Sequence, residues 1–509
     1  MESLDSVIVN KLKCASLEGV DAKVVEVEGS LTKGLPNFNI VGLASSDIQE
    51  AKERAKNALL AQNFELPPLR ITINLSPSDI KKSGTHFDLA IALLVALGSS
   101  KIEHKDIFVF GELGLDGKVK SSSLIFPLIL SLAQQNLIKR TIVPKSALKS
   151  LKFIKNVEFI GVDTLKEAVD ILQNEEIKVT SSSFSYNYKF LEINSKKYYY
   201  MQDYKEDFKD ILGQKVAIRA ALISAAGMHN MLLNGSPGSG KSMIAKRLQY
   251  ILPPLSEQEI LSIAKYQFLN NQKPDFKPLR PFRSPHHTAT SAAIFGGGSH
   301  SAKIGEVALA NSGILFFDEL PHFSTKVLEA LREPLQDRVI SIARVNSKVS
   351  YSSNFLFIGA MNPCPCGNLL SKTKECRCTP HEIKRYQNRL SDPFLDRIDI
   401  FVTMQEVDFN DTNYATSKKL HQEVLKAFRA QKQRGQKCLN GELNEAQIDK
   451  FCILNSEAKE ILQKATAKFS LSFRSINSIK KVARTIADLN ENQQITKKDI
   501  LEALSYRKR

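Results

Sequence analysis

One short stretch limits the fold of this chain more than any other: residues 231–248, MLLNGSPGSGKSMIAKRL. An apolar run typical of a buried strand leads into a glycine-rich turn, and helix-forming residues follow. Glycines let backbone N–H groups turn inward around phosphate oxygens, and the helix N-terminus adds its positive end. The pattern predicts an α/β domain whose phosphate-binding loop is formed by Gly235, Ser236, Pro237, Gly238, Ser239, Gly240, Lys241 and Ser242.

Two side chains of this loop and an acid pair further along together predict an ATPase. Lys241 is expected to reach the β and γ phosphates, and Ser242 Oγ to ligate Mg²⁺. Downstream, the apolar run Ile314–Phe317 ends in Asp318 and Glu319. A carboxylate at the tip of a buried strand can hold the magnesium shell, and the next can polarise the attacking water. Asp318 is therefore the predicted metal residue, Glu319 the predicted base, and ATP and Mg²⁺ the predicted cofactors.

A third apolar run, in NFLFIGAMNP at 354–363, ends at Asn362 and leads into a cysteine-rich segment. Asn362 could orient water beside the γ-phosphate, although a solvated strand end has the same pattern. Of the seven cysteines in the chain, four follow directly as two C-x-C pairs: Cys364, Cys366, Cys376 and Cys378.

These four thiolates can close a tetrahedral zinc site, and the reduced thiols of a cytoplasmic protein favour metal over disulfides. The more familiar zinc spacing is C-x₂-C, so reduced thiols without metal remain the alternative. If Zn²⁺ binds, we expect the segment to form a rigid finger that moves with the nucleotide state and touches a phosphate backbone.

The bulk composition limits the class of protein. At 509 residues the chain is too long for one core, and 43% hydrophobic with 24% charged residues is ordinary for a soluble globular protein. No run approaches the ~18 apolar residues of a membrane span, and the N-terminus lacks the pattern of a signal peptide. We therefore expect a cytoplasmic protein with no membrane partner. The formal charge of +16 favours a polyanionic partner, most often nucleic acid, although a solubility surface would also explain it.

The alternation of strand-like and helix-like runs divides the chain into four parts. Residues 1–175 alternate both kinds of run and predict an α/β domain. Residues 176–205, rich in Ser, Tyr and Lys, are interpreted as a linker. Residues 206–404 predict an αβα ATPase core that carries the cysteine loop 364–378, and residues 405–509 predict an α-helical lid.

Further motifs extend along nearly the whole chain: DILGQKVAIRAALISAAGMHN, RPFRSPHHTATSAAIFGGGSHSAKIGEVALANSGILFFDELPHF, AMNPCPCG, RLSDPFLDRIDIFV and FRSINSIKKVARTIADL. With the phosphate loop, this set resembles the ComM (YifB) family of magnesium-chelatase-like AAA+ ATPases. The segments VEGSLTKGLPNFNIVGLASSDIQEAKERAKNAL and INLSPSDIKKSGTHFDLAIALLVALG resemble that family's Lon-protease-like (S5-like) domain. The resemblance implies an N-terminal Lon-protease-like domain, an AAA+ P-loop core and a C-terminal helical lid.

The resemblance also implies roles that spacing alone does not. Asn362 resembles the sensor-1 residue, and Arg474 resembles the sensor-2 arginine of the lid. Arg397 sits where this clade places an arginine that reaches the γ-phosphate of the neighbouring subunit, and Arg389 is a rival for that role. Fixed cations suit the negative charge that spreads over a transferring phosphoryl group.

In the Lon-like domain, the positions of the expected serine nucleophile and lysine base hold His86 and Phe126. Neither catalytic residue is matched, so we interpret the domain as non-proteolytic. Elsewhere, His286 and His287 resemble part of the clade's pore-side hairpin region, for which contact with polynucleotide, a structural role and metal binding stay open.

The family resemblance implies a homo-hexameric motor that acts on single-stranded or branched DNA. Its implied task is helicase-type branch migration during homologous recombination in natural transformation, with recombination proteins as possible partners. Two alternatives stay open: a chelatase-type motor subunit that remodels a protein partner, and an ATP-dependent protease. The Lon-like domain and the cysteine loop disfavour the first, and the missing serine–lysine pair disfavours the second.

Overall fold

The computed structural model describes residues 9–98, 100, 106–173, 180–181, 186–297, 303–343, 348–371, 373–406, 412 and 415–507. The chain divides into two compact units. Unit 1 comprises Met1–Tyr186 and Ala264–Asp275, and unit 2 comprises Asn187–Ile263 and Phe276–Arg509. Among the helices of the described residues, none has the length and apolar character that crossing a membrane requires.

Unit 1 is an α/β unit. Its strands are β1 Val9–Glu18, β2 Asp21–Thr32, β3 Asn37–Val41, β4 Arg70–Ser76, β5 Phe108–Val109, β6 Glu112–Leu113, β7 Val119–Lys120, β8 Arg140–Pro144, β9 Glu158–Val162 and β10 Thr180–Ser181. Its helices are α1 Ser46–Gln49, α2 Ala51–Ala61, α3 Asp88–Leu97, α4 Ile125–Gln134, α5 Leu148–Leu151 and α6 Leu165–Gln173.

Eight of these strands form one mixed sheet in the order β10-β9-β8-β5-β1-β2-β4-β3. The long β1–β2 hairpin turns through Gly19, whose φ of 69° suits a residue without Cβ. Alternate residues of β1, among them Leu12 and Cys14, are buried, as expected for a strand with one face on a core. Helix α3 is apolar on all sides and almost wholly buried, which explains its uninterrupted hydrophobic sequence.

Unit 2 holds the remaining elements. Its strands are β11 Lys189–Ile193, β12 Lys196–Tyr200, β13 Met231–Asn234, β14 Leu255–Ser256, β15 Phe282–Arg283, β16 Gly296–Gly297, β17 Lys303–Ile304, β18 Ile314–Phe317, β19 Val339–Ala343, β20 Lys348–Ser352, β21 Leu356–Met361 and β22 Ile400–Thr403. Its helices are α7 Lys215–Gly227, α8 Lys241–Leu248, α9 Glu257–Leu269 (whose residues from Ala264 belong to unit 1), α10 Ser291–Phe295, α11 Glu306–Leu309, α12 Thr325–Ala330, α13 Arg332–Asp337, α14 Pro380–Gln387, α15 Asp392–Leu395, α16 Ser417–Gln433, α17 Glu445–Phe451, α18 Ser456–Phe469, α19 Phe473–Leu489 and α20 Lys497–Ser505.

The centre of unit 2 is a five-stranded sheet, in the order β15-β18-β21-β13-β22, whose paired strands are all parallel. Strands β13, β18 and β21 are buried and apolar almost throughout, as strands covered on both faces are. After β22 the chain is helical from α16 to α20, so the α/β fold with a helical C-terminal lid is confirmed.

The segment interpreted as a linker differs from that expectation over residues 189–200. Strands β11 and β12 form an antiparallel hairpin there, and β12 also pairs with β14. The two turn residues, Asn194 and Ser195, both have positive φ, as a type I′ hairpin turn requires. The linker interpretation rested on the Ser, Tyr and Lys content of the segment. It gave no weight to the tyrosine run at 198–200, although aromatic side chains favour strands.

Candidate active site

The predicted phosphate loop, acid pair and Asn362 lie at one edge of the parallel sheet. Each follows the carboxyl end of a strand: the loop follows β13, Asp318 follows β18 and Asn362 follows β21. Asn234 pairs with Met361, so the loop and Asn362 leave adjacent strands at the same level. Carboxyl ends of parallel strands meet at a single edge, which is where open α/β sheets bind ligands.

Hydrogen bonds join these side chains into one cluster. The Lys241 ammonium donates to the carbonyls of Gly235 at 2.6 Å and Ser236 at 3.0 Å, and to Asn362 Oδ1 at 3.1 Å. Lys241 is only 9% exposed, and this burial lowers its pKa, partly offset by the Asp318 carboxylate. The three acceptors of this ammonium are neutral oxygens. Its N–H groups can therefore donate to phosphate oxygens instead, without movement of the lysine backbone.

The loop backbone suits a phosphate group. Gly238 and Gly240 have φ of 80° and 91°, in the left-handed region that favours glycine. The hydroxyls of Ser236 and Ser239 are buried and have no hydrogen-bond partner among the described residues. Buried polar groups are normally paired, so two unpaired hydroxyls in a glycine-rich loop at a helix N-terminus fit a phosphate ligand.

A divalent cation fits beside this loop. Ser242 Oγ donates to Asp318 Oδ2 at 2.7 Å. Adjacent oxygen ligands of octahedral Mg²⁺ lie about 3 Å apart, given Mg–O distances near 2.1 Å. The two oxygens can therefore become ligands of one Mg²⁺ with little movement.

Glu319 lies next to Asp318 in a strained backbone conformation. Its φ of 51° and ψ of 42° are left-handed, which is uncommon for a residue other than glycine or asparagine. Its Oε2 lies 3.5 Å from Nδ1 of His287, and the His287 ring packs on that of His286 at 4.2 Å between centroids. The sequence did not predict that either histidine lies at this site. The only sequence feature that singled them out is that they are adjacent.

Arg397 and Arg474 meet at a different place. Both donate to Oε1 of Gln336, from Arg397 Nη2 at 2.6 Å and from Arg474 Nη2 at 2.9 Å. They line a cavity of about 720 Å³ that includes no residue of the phosphate loop. Its wall carries both signs of charge: Arg338 and Lys481, and the acidic Asp396, Asp399, Glu442 and Glu445. Burial lowers the pKa of Arg397, and the charge of nearby Arg474 adds to that effect.

Arg389 and Gln336 differ in their relation to this cavity. Arg389, the rival of Arg397, is exposed beyond the end of α14 and does not line the cavity. Gln336, in the short helix α13, belongs to no motif, so nothing in the sequence indicated that it would join the two arginines.

The four clustered cysteines converge on one point. Their sulfur atoms all lie within 4.8 Å of one another, and Cys364 is buried. Backbone N–H groups of Asn368 and Arg377 lower the pKa of Cys366 to about 6. Against the lowering effect of a backbone N–H group, burial and the neighbouring cysteines raise the pKa of Cys376 and Cys378. The arrangement has the form of a tetrahedral thiolate site.

In unit 1, the two positions aligned with the protease residues are apolar or deeply buried. His86 is 1% exposed and its Nε2 bonds the Ala15 carbonyl at 2.8 Å. Burial lowers the pKa of His86 to about 4, so its ring is neutral at pH 7. Phe126 stacks on Phe268 with centroids 4.8 Å apart. Neither side chain supplies a nucleophile or an amine base.

A P-loop followed by strand-end acid and amide residues in a five-stranded parallel sheet, with a helical lid, defines an AAA+ ATPase. Three family models match the chain: "Magnesium chelatase, subunit ChlI" over residues 207–412, "Subunit ChlI of Mg-chelatase" over 27–147, and "Magnesium chelatase, subunit ChlI C-terminal" over 414–507.

Relatives match along nearly their whole length. Competence protein ComM of Haemophilus influenzae is 37% identical over 507 residues, 96% of this chain and 95% of the relative. The YifB proteins of Escherichia coli and Salmonella typhimurium are 36% and 35% identical, with the same shares covered. The chain therefore belongs to the ComM/YifB family of magnesium-chelatase-like AAA+ ATPases, as the resemblance implied.

Proposed function

We propose that this protein is a homo-hexameric AAA+ motor that hydrolyses ATP to move along DNA. The observation that carries the proposal is the hydrogen-bonded cluster in which Lys241 contacts Asn362 while Ser242 contacts Asp318. Sequence positions up to 121 residues apart converge there on the oxygen and ammonium groups that a magnesium triphosphate needs.

Each residue of the cluster has a distinct proposed role. Lys241 holds the β and γ phosphates, and Ser242 and Asp318 ligate Mg²⁺. Glu319 takes the proton of the attacking water, and Asn362 positions that water. Held by Ser242 and Asp318, Mg²⁺ would supply a positive charge that offsets the negative charge of the phosphates. We propose Zn²⁺ as the ion of the cysteine cluster.

The arginine cavity supports assembly into a ring. Arg397 and Arg474 line a cavity to which the phosphate loop of the same chain contributes nothing. Four acidic side chains share its wall, but the described hydrogen bonds of Arg397 go to none of them, which leaves its guanidinium able to bind a phosphate from elsewhere. In a head-to-tail ring, this face of one subunit meets the nucleotide site of the next. We propose that Arg397 acts there in trans, with Arg474 beside it and Arg389 as the alternative.

DNA is the proposed substrate on two grounds. The formal charge of +16 favours a polyanion. The relative from Haemophilus influenzae is named a competence protein. We therefore propose branch migration during homologous recombination of incoming DNA in the cytoplasm, together with recombination proteins.

The two other functions have less support. A chelatase-type motor shares the ATPase core, and the family models bear the chelatase name. ATP-dependent proteolysis has no support from His86 and Phe126, which hold the positions of the nucleophile and base.

A branched-DNA unwinding assay tests the proposal. Wild-type protein with ATP and Mg²⁺ should separate the strands of a labelled Holliday-type junction. Glu319→Gln should bind ATP and DNA but fail to separate strands, since it keeps the side-chain shape and loses the base. Strand separation by both proteins, or by neither, would contradict the proposal. A casein-cleavage assay in parallel would reveal a protease.

A further inference from the structure

Three sulfurs of the cysteine cluster are spaced as ligands of a tetrahedral metal site are, and the sulfur of Cys378 lies within 4.8 Å of all three. Sγ of Cys364 lies 3.4 Å from Sγ of Cys366 and 3.7 Å from Sγ of Cys376, and Cys366 and Cys376 are also 3.7 Å apart. With Zn–S distances near 2.3 Å, the edge of a ZnS₄ tetrahedron is about 3.8 Å. Disulfide sulfurs would lie about 2.05 Å apart, so these distances match ligands of one soft or borderline cation.

The first C-x-C pair is packed against the phosphate loop. It follows β21 directly, and Asn362, two residues before Cys364, accepts from Lys241. Gly367, which follows Cys366, has φ of 80°, and a Cβ placed on it would lie 2.6 Å from Cδ of Pro237. The backbone of the cysteine loop at Gly367 therefore packs directly against Pro237 of the phosphate loop, with no room for a side chain between them.

The second C-x-C pair is tied to a different element. Cys378 is followed by Thr379, which caps helix α14 through reciprocal bonds with Glu382. At the other end of α14, Gln387 Nε2 donates to the carbonyl of Pro363 at 3.1 Å, next to the first pair. One ion bound by all four sulfurs would therefore join the strand end beside the phosphate loop to α14.

A short segment without a core of its own depends on such a link. Most of the described residues between the two pairs are exposed, and apart from Cys364 the cysteines are half-buried. Metal binding then supplies folding free energy that apolar burial does not. Loss of the ion would separate the first cysteine pair from the second. Gly367 would then no longer be held against Pro237.

We propose that the four thiolates bind one Zn²⁺ per chain and that this ion holds the cysteine loop against the phosphate loop, so that zinc occupancy sets the affinity of the site for ATP. The proposal rests on the proposed function only in taking the phosphate loop to be the ATP site. Binding displaces the thiol protons to solvent and involves no change of oxidation state.

Zinc content and ATP affinity, measured on the same full-length preparations, test the proposal. The variants are Cys376→Ser and Cys378→Ser, whose sulfurs are half-buried, and the control is Cys438→Ser, outside the cluster. Elemental analysis should find one zinc per chain in wild type and control and loss of zinc in both variants. The Kd of a fluorescent ATP analogue should rise about tenfold in the variants, a change of about 1.4 kcal/mol.

Two results would overturn the proposal. One is the absence of zinc from wild-type protein even after reconstitution with Zn²⁺ under reducing conditions. The other is loss of zinc with an unchanged Kd, since the coupling would then be absent. Circular dichroism should show a folded protein in each variant; if a variant is unfolded, zinc removal from wild type by a chelator and return of zinc replace it, and the Kd should rise and fall reversibly.

A pair of glycine variants tests the contact without removing a ligand. Gly367→Ala should keep its zinc but weaken ATP binding, because the added methyl meets Pro237. Gly435→Ala is a matched control, since its φ of 83° is nearly the same and a Cβ there meets no atom of the described residues within 4 Å. Equal effects of the two variants would show that backbone strain, not the contact, is responsible, and would overturn the proposed coupling.

ATP binding by wild-type protein, measured with and without zinc, distinguishes failure of the ATPase proposal from failure of the zinc coupling. If zinc-replete wild type does not bind the ATP analogue, the ATPase proposal fails and the coupling with it. If wild type binds and hydrolyses ATP with or without zinc equally well, the ATPase proposal stands and only the coupling is overturned.

Discussion

Two groups of functional side chains in unit 2 differ in how their charges are held. At the phosphate loop, Lys241 bonds to oxygens of its own loop and to Asn362, and Ser242 bonds to Asp318, so the cluster is closed within one chain. At the cavity, the hydrogen-bond partners of Arg397 that the described residues show are neutral: two backbone carbonyls and the Gln336 amide. The charges of the first group are therefore held by partners of its own chain, whereas the described hydrogen bonds of Arg397 leave it without a carboxylate partner.

A structural arginine of the lid shows the contrast. Arg484 is fully buried and bonds Asp488 at 2.9 Å, and the same carboxylate bonds Arg434 at 2.8 Å. A buried arginine paired with a carboxylate stabilises the fold, since an unpaired buried charge is costly. An arginine held by neutral acceptors is oriented without being neutralised, which is what the binding of a phosphate requires.

The largest effect should come from breaking the closed cluster. Lys241→Ala should lower ATP turnover by at least about 10³-fold, because it removes the cation that faces the phosphates. Phosphate release measures this. Lys246→Ala, an exposed lysine of the same helix, is the control and should leave turnover unchanged. Undiminished turnover in Lys241→Ala would remove the basis of the ATPase proposal.

The next effect should come from the arginine cavity. Arg397→Ala should lower turnover about 10²-fold while ATP still binds, since the remaining Arg474 keeps part of the charge. Arg389→Ala, measured alongside, should have little effect. If Arg389→Ala is instead the damaging variant, the trans role belongs to Arg389.

Mixing two inactive variants sharpens this prediction. In an equimolar mixture of Lys241→Ala and Arg397→Ala, about a quarter of head-to-tail interfaces join an intact loop to an intact arginine if assembly is random. Turnover of the mixture should therefore recover well above that of either variant. No recovery would mean that both residues serve the same chain.

A smaller effect is expected from the amide that holds both arginines. Gln336→Ala should lower kcat about fivefold with an unchanged KM for ATP, the loss of about 1 kcal/mol of hydrogen bonding. Gln336→Glu should lower kcat further, because a carboxylate would pair with both arginines and neutralise them. An unchanged or raised kcat in Gln336→Glu would show that the neutral partner has no importance.

The smallest effect should come from the histidine beside Glu319. His287→Ala should lower kcat about twofold to threefold, since a half-exposed contact at 3.5 Å contributes well under 1 kcal/mol. His286→Ala is the control, because the described contacts of His286 include none with Glu319. Equal effects of both variants would assign the change to the loop as a whole.

The sequence was most informative where a motif has a backbone reason. Gly238 and Gly240 stand at left-handed positions, and Asp318 and Asn362 end buried strands, so both kinds of site could be located from local pattern alone. The hairpin at 189–200 was missed because its turn, Asn194-Ser195, is a weaker signal than the glycine-containing turns that usually mark two-residue hairpins.

By itself, the sequence determined the phosphate loop, the strands that end in polar residues and the four clustered cysteines, because these depend on spacing of a few residues along one strand, turn or helix. Only the tertiary structure decided that Arg397 and Arg474 share Gln336, that His287 lies beside Glu319 and that Gly367 touches Pro237. Those contacts join residues far apart in sequence, and their distances depend on how strands and helices pack, which short-range periodicity does not encode.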